Sequence, residues 1–376
     1  MRQFNTAGPS IMQDHYSIDP LKRINLPEIL KLIADKRYFV LHAPRQTGKT
    51  TCLYSLMRYL NAEGLYRAMY VNIENAQTAR NDVSNGIRTV CGNISSSLKI
   101  HLKDNATADQ WLTIFNNYGH NAALTELLKV WTEADPTRPA VLMLDEIDAL
   151  VGDTLISVLR QIRAGYADRP EHFPISVILC GVRDVRDYRI HSGGGEIITG
   201  GSAFNIKAES IQVGNFSHID IRNLFAQHTA ETGQQFEEPI FDKLWDDTNG
   251  QPWLVNALGQ WLCFKLPEGT ERSCPLSLEL YQQAREELIR SRATHLDQLT
   301  DKLQEERVHR VISKIMTGDT DMEGVKTDDL YYVQDLGLVS TDKPLRISNA
   351  IYRELSPENL PGPHRKLTFI KRHSGI

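Results

Sequence analysis

The segment Phe39–Met57, FVLHAPRQTGKTTCLYSLM, constrains this chain more than any other stretch. An apolar β-type run ends at Ala43, gives way to Pro44-Arg45-Gln46-Thr47-Gly48-Lys49-Thr50-Thr51, and then resumes with helical periodicity. This is nearly the phosphate-binding loop G-x-x-x-x-G-K-[ST], with Ala43 in the place of the first glycine. Such a loop must turn its backbone N–H groups around an anion and then open a helix whose positive end faces the same charge. Gly48 allows close backbone approach, Lys49 is expected to reach the β/γ-phosphates, and Thr50 to ligate Mg²⁺. A methyl group at position 43 is tolerable if the backbone φ there is negative.

A second element strengthens this reading. Val141-Leu142-Met143-Leu144-Asp145-Glu146 is an apolar run that ends in paired acids. A strand buried on both faces brings Asp145 to the carboxyl edge of a parallel sheet, where it holds Mg²⁺ through water. Glu146 beside it is placed to polarise the attacking water as the base of hydrolysis. Loop and acid pair together imply an ATP site using Mg²⁺, with Asp145 and Thr50 as the metal-holding groups.

Composition excludes some alternatives. The 376 residues carry 42 Lys+Arg against 47 Asp+Glu, a net charge of −5, so any contact with nucleic acid must be local rather than spread over the surface. No stretch approaches eighteen consecutive apolar residues, and the first twenty lack the apolar centre of a signal peptide, so no membrane span or export signal is expected. The five cysteines form no C-x-x-C pair, which points to a reducing, cytoplasmic setting and away from a zinc site.

Strand and helix signals alternate through the first half. Extended runs at residues 37–43, 67–74, 139–145 and 175–181, with a further piece at 211–214, are separated by helical periodicities. The expected fold is α/β: a doubly wound P-loop NTPase core with a parallel sheet, followed by an α-helical lid and a C-terminal winged helix. The corresponding domains are an N-terminal segment and helix at 1–35, the core at 36–214, the lid at 215–298, the winged helix at 299–360 and a basic tail at 361–376. The winged-helix outline rests on two helical patterns, around VHRVISKIM and Leu330–Leu336, followed by two short extended pieces around Asp342-Lys343-Pro344.

The ordered set of motifs, with Ile178-Leu179-Cys180-Gly181-Val182-Arg183-Asp184 and Gly250-Gln251-Pro252-Trp253-Leu254 after the acid pair, resembles the AAA-like P-loop ATPases. More narrowly it resembles STAND-type ATPases, relatives of the origin-recognition and NB-ARC proteins. Phe4-Asn5-Thr6-Ala7-Gly8-Pro9 and the arginine-rich run at 183–189 look like those of a bacterial AAA-like group. The resemblance implies that Arg183 senses the γ-phosphate, that Pro252 meets the adenine ring from the lid, and that the N-terminal segment around Tyr16 closes the base pocket. Read from the residues alone, the competing role for Arg183 is ion-pair partner of a nearby acid, and for Pro252 helix-starting proline. The preference for ATP also comes from the resemblance, since no guanine-reading N/T-K-x-D motif is visible.

Relatives that hydrolyse quickly do so as oligomers, with an arginine supplied in trans. Arg186, on the same loop as Arg183, is nominated for that role in a nucleotide-dependent homo-oligomer. Some members of the group carry a nuclease-like domain of PD-(D/E)xK type. No copy of that motif is evident here, so the expectation is either a shortened relative or an effector on a separate polypeptide, and a protein partner or separate effector is expected. The second helix of the winged helix, TDDLYYVQD, is acidic, which suits packing or protein contact better than duplex DNA. Lys343, Arg346 and the tail cations Arg365, Lys366, Lys371 and Arg372 keep duplex DNA open. The glycine-rich run between His191 and Ser202 reads either as a mobile loop beside the nucleotide or as a plain connector. The leading expectation is an ATP-hydrolysing switch gating a protein partner. The alternatives are a DNA-dependent ATPase and a nucleotide-binding scaffold that never hydrolyses.

Overall fold

The computed structural model describes residues 1–182, 189–191, 197–199, 204–291, 293–318, 322 and 324–355. Arg183, Arg186, most of the glycine-rich run and the tail at 361–376 lie outside the described residues. The chain divides into two units. One comprises Asp19–Ala43 and Lys49–Gly214; the other comprises Met1–Ile18, Pro44–Gly48 and Asn215–Ile376.

The first unit is built on a parallel sheet. Its strands are β1 (Tyr38–His42), β2 (Arg67–Asn72), β3 (Ala140–Asp145), β4 (Ser176–Gly181) and β7 (Lys207–Gln212), in the order β2-β3-β4-β1-β7. β4 therefore lies between β1, which leads into the phosphate loop, and β3, which ends in Asp145. β5 (Arg189–His191) and β6 (Ile197–Thr199) form a separate antiparallel pair, which the sequence patterns do not foreshadow. The fifth parallel strand begins at Lys207, earlier than the apolar residues around Ile211 suggest, because its first half is polar.

Alternation along each strand separates two apolar layers. Tyr38, Val40, Met69, Val71, Leu142, Leu144, Val177 and Leu179 enter one core with the helices Val83–Ser97, Ala123–Glu133 and Gly152–Ala164. Phe39, Leu41, Ala68, Tyr70, Val141, Met143, Ile178 and Cys180 enter the other, with Leu26–Ala34 and Lys49–Glu63. Burial on both faces accounts for the uninterrupted apolar runs of β1, β3 and β4.

The second unit is helical. Helices His218–Thr232, Pro239–Thr248, Pro252–Gln260 and Leu278–Arg290 share one apolar core with Thr294–Leu303, Glu306–Met316, Thr327–Asp335 and Ala350–Leu355. The N-terminal segment is part of that core. Phe4 is packed so closely on Gly259 that a Cβ there would fall 2.6 Å from Phe4 Cδ1, and Trp253 Nε1 donates to Thr6 O at 3.0 Å. Between Thr327–Asp335 and Ala350–Leu355 the extended pairing is a single antiparallel bridge, Val339 with Ile347. No helix among the described residues is long and apolar enough to cross a membrane.

Candidate nucleotide site

The phosphate loop is set by two left-handed residues. Gln46 has φ 58° and Gly48 φ 87°, while Ala43 is not among the positive-φ residues, so its methyl group meets no backbone penalty. Ala43 is fully buried and continues the β1 ladder, its N–H donating to Gly181 O at 3.3 Å. Thr47 Oγ1 donates to Pro44 O at 2.8 Å, pinning the turn; Arg45 and Gln46 are exposed. The residues Pro44–Gly48 count with the helical unit, in which Gln251 Nε2 approaches Gln46 O at 3.5 Å.

Lys49 opens the helix Lys49–Glu63, is 5% exposed, and donates from Nζ to Ala43 O at 2.9 Å. Its ammonium is thus folded back onto the residue that precedes the loop. Thr50 follows, with Oγ1 donating to Asp145 Oδ2 at 2.7 Å. Thr51 is half-buried in the same helix.

Asp145 is fully buried at the carboxyl end of β3. Its donors include Thr50 Oγ1, Tyr70 OH at 2.9 Å to the same Oδ2, the Glu146 N–H at 3.0 Å to Oδ1 and the Cys180 thiol. A carboxyl buried among such neutral donors suits a hard cation with oxygen ligands. Thr50 and Asp145 together fit Mg²⁺, which is usually held by one or two protein oxygens plus phosphates and water. Tyr70 is a site residue that sequence reasoning missed. It lies on β2, the strand next to β3, and its ring packs on Tyr54 at 4.2 Å; only the strand order shows that it reaches Asp145.

Glu146 has a left-handed backbone, φ 62° and ψ 41°, a conformation that a side chain adopts at some cost and that clusters at functional sites. Burial, followed by the charges of Asp145 and Asp148, raises its pKa to about 7, against the opposing pull of Lys49. A carboxyl poised there exchanges a proton near neutral pH, which suits a general base. Asp148 is itself engaged, with Oδ1 accepting from Val182 N–H at 3.2 Å. The structure thus brings Lys49, Thr50, Asp145 and Glu146 together at the carboxyl edge of one sheet.

Pro252 and Tyr16 belong to the helical unit. Pro252 is buried at the first position of Pro252–Gln260, with Gln251 as N-cap accepting from Leu254 N–H at 2.6 Å. The preceding Gly250 has φ 69°, and a Cβ there would fall 2.0 Å from Phe216 O, so backbone approach requires glycine in this G-x-P sequence. Tyr16 is 1% exposed. Its ring lies edge-on to Phe4 at 5.0 Å and its hydroxyl is 3.2 Å from His228 Nδ1, so it is a core residue of that unit.

Residues 33–188 match the AAA domain. The parallel sheet, with the loop and the acid pair at its carboxyl edge, is a P-loop NTPase-like fold. The whole chain is similar in structure to the Walker-type ATPase paby2304 of Pyrococcus abyssi, at 12% identity and TM-score 0.59, covering 94% of this chain and 99% of that one. Cdc6p from Pyrobaculum aerophilum aligns at 16% identity and TM-score 0.47 over 96% of both chains. The Aeropyrum pernix ORC1 protein, solved in complex with DNA, aligns at 13% identity and TM-score 0.45 over 95% of this chain and 94% of that one. No curated protein matches the chain. At 12% identity the likeness to the Walker-type ATPase concerns the fold alone.

Proposed function

We propose that the protein binds Mg²⁺·ATP at the loop Pro44–Thr51 and hydrolyses it slowly, as a STAND-like switch that gates a protein partner. The observation that carries the reading is the cluster of Lys49, Thr50, buried Asp145 and Glu146 at the end of β3. When ATP enters, Lys49 exchanges Ala43 O for the β/γ-phosphates. Thr50 and Asp145 would hold the metal, whose charge would offset that of the phosphates. Glu146 takes the proton of the attacking water. Arg183 is assigned to the γ-phosphate, Arg186 to a neighbouring subunit's site, and Pro252 to the adenine ring. A winged helix formed by the last helices is assigned to partner contact, its acidic second helix weighing against duplex DNA.

The test is steady-state ATP turnover with and without duplex DNA, at several protein concentrations, with Lys49→Ala as the blank. Slow turnover indifferent to DNA supports the switch, and a rate per subunit that rises with concentration supports an arginine in trans. Glu146→Gln is expected to retain nucleotide binding and lose about 10²-fold or more in rate. DNA stimulation would replace the switch with a DNA-dependent ATPase. Turnover no faster than the blank would leave a binding scaffold.

A further inference from the structure

Asp145 is gripped from two elements at once. Thr50 Oγ1, at the start of the helix Lys49–Glu63, and Tyr70 OH, on β2, donate to the same Oδ2 at 2.7 and 2.9 Å. The Glu146 N–H holds the other oxygen at 3.0 Å. β2 pairs with β3 so that Tyr70 lies opposite Met143, two residues before Asp145, and therefore points to the same face of the sheet. Tyr54 stands four residues after Thr50 on the same side of its helix, and its ring meets that of Tyr70 at 4.2 Å. His101 lies edge-on to both rings, at 5.7 and 6.3 Å. Tyr70 is only 3% exposed, so this packing fixes where its hydroxyl sits.

Packing alone asks for a ring at position 70 and not for a hydroxyl. Phenylalanine would fill the same space against Tyr54 and His101, so the phenol's distinct contribution is its bond to Asp145. At neutral pH a phenol keeps its proton and a carboxylate has none to give, so the direction of that bond is fixed. Thr50 alone would leave Oδ2 fastened only to the residue that is also expected to meet the metal. Tyr70 holds the same oxygen from the neighbouring strand, independently of Thr50. Carboxylates that bind metals are commonly hydrogen-bonded in this way, and loss of such a partner typically weakens metal binding about 10–100-fold.

Resting on the Mg²⁺·nucleotide reading above, we propose that Tyr70 is a positioning residue for the metal: it aims the Asp145 carboxylate and so sets how strongly Mg²⁺ reinforces nucleotide binding. The test is calorimetric titration of the full chain with a non-hydrolysable ATP analogue, in excess Mg²⁺ and again in EDTA. The ratio of the two affinities measures what the metal contributes on the protein, without any turnover. Tyr70→Phe is expected to shrink that ratio about tenfold and to leave the affinity in EDTA unchanged. Tyr54→Leu removes the ring partner but keeps the phenol, and is expected to retain the wild-type ratio. A merely structural role for Tyr70 lowers both affinities alike in Tyr70→Phe and leaves the ratio at its wild-type value, which would overturn the proposal. So would an equal shrinkage in Tyr54→Leu, which would assign the effect to packing. A wild-type ratio near one would instead refute the Mg²⁺·nucleotide reading itself, and this proposal with it.

Discussion

Acid should loosen the helical unit through one histidine. His295 is 4% exposed, its Nε2 lies 2.9 Å from Tyr352 OH, and its ring packs on Trp253 at 4.8 Å. Burial lowers its pKa from the ordinary 6.5 to about 4. Between those values the unfolded chain binds a proton that the folded unit does not, so stability rises with pH across the window. The contribution is complete above about pH 6.5 and is lost as pH falls toward 4. The gap corresponds to about 3 kcal/mol, a large share of the 5–15 kcal/mol typical of a domain. His295→Gln cannot charge. Urea unfolding of wild type and variant, followed by tryptophan fluorescence from pH 7 down to about 4, isolates the effect as a difference. His228, also buried with a lowered pKa, is common to both proteins and cancels. Whatever packing the variant loses at neutral pH, its deficit relative to wild type should shrink or reverse on acidification by about 3 kcal/mol. A difference that stays flat across the window would refute the reasoning.

Further outcomes follow from single contacts. Tyr70→Phe removes a buried donor to a charged carboxylate and should cost the sheet unit about 1.5–3 kcal/mol in denaturant, with no change in fold by circular dichroism. Gly250→Ala, placed at φ 69° against Phe216 O, should destabilise the helical unit by about 2 kcal/mol or more; a neutral result would mean that this backbone approach relaxes freely. Lys49→Ala should abolish nucleotide-dependent stabilisation of the protein in a thermal melt, because it removes the amine proposed to meet the phosphates.

Much of the sheet and its site was legible because local chemistry and global fold agree there. Strands buried on both faces leave continuous apolar runs, so β1, β3 and β4 stand out and carry the loop and the acid pair to one edge. The substitution at Ala43 was interpretable because a negative φ asks nothing of glycine. Tyr70 was not legible, since its partner sits on another strand and no spacing rule links them. The polar start of β7 hid that strand's beginning for a related reason: its place beside β1 is supplied by pairing rather than by its own composition.

The two units offer separate handles on a switch. On the proposed function, Mg²⁺·ATP at Lys49, Thr50 and Asp145 would stabilise the unit that holds them by about 2.7 kcal/mol at a hundredfold excess over Kd, whereas protonation of His295 acts within the helical unit. If the units are energetically independent, nucleotide raises one unfolding transition and acid lowers the other. If a switch couples them, each perturbation moves both transitions, and the shift of the untouched unit is the coupling free energy. Linkage requires that coupling to be reciprocal. An acid pH that weakens the helical unit must then weaken nucleotide binding by the same free energy; Glu146 titrates near the same window, so the coupling is the part of the pH dependence that His295→Gln removes. A nucleotide affinity with the same pH dependence in wild type and His295→Gln would leave the nucleotide site working alone, with nothing for it to gate.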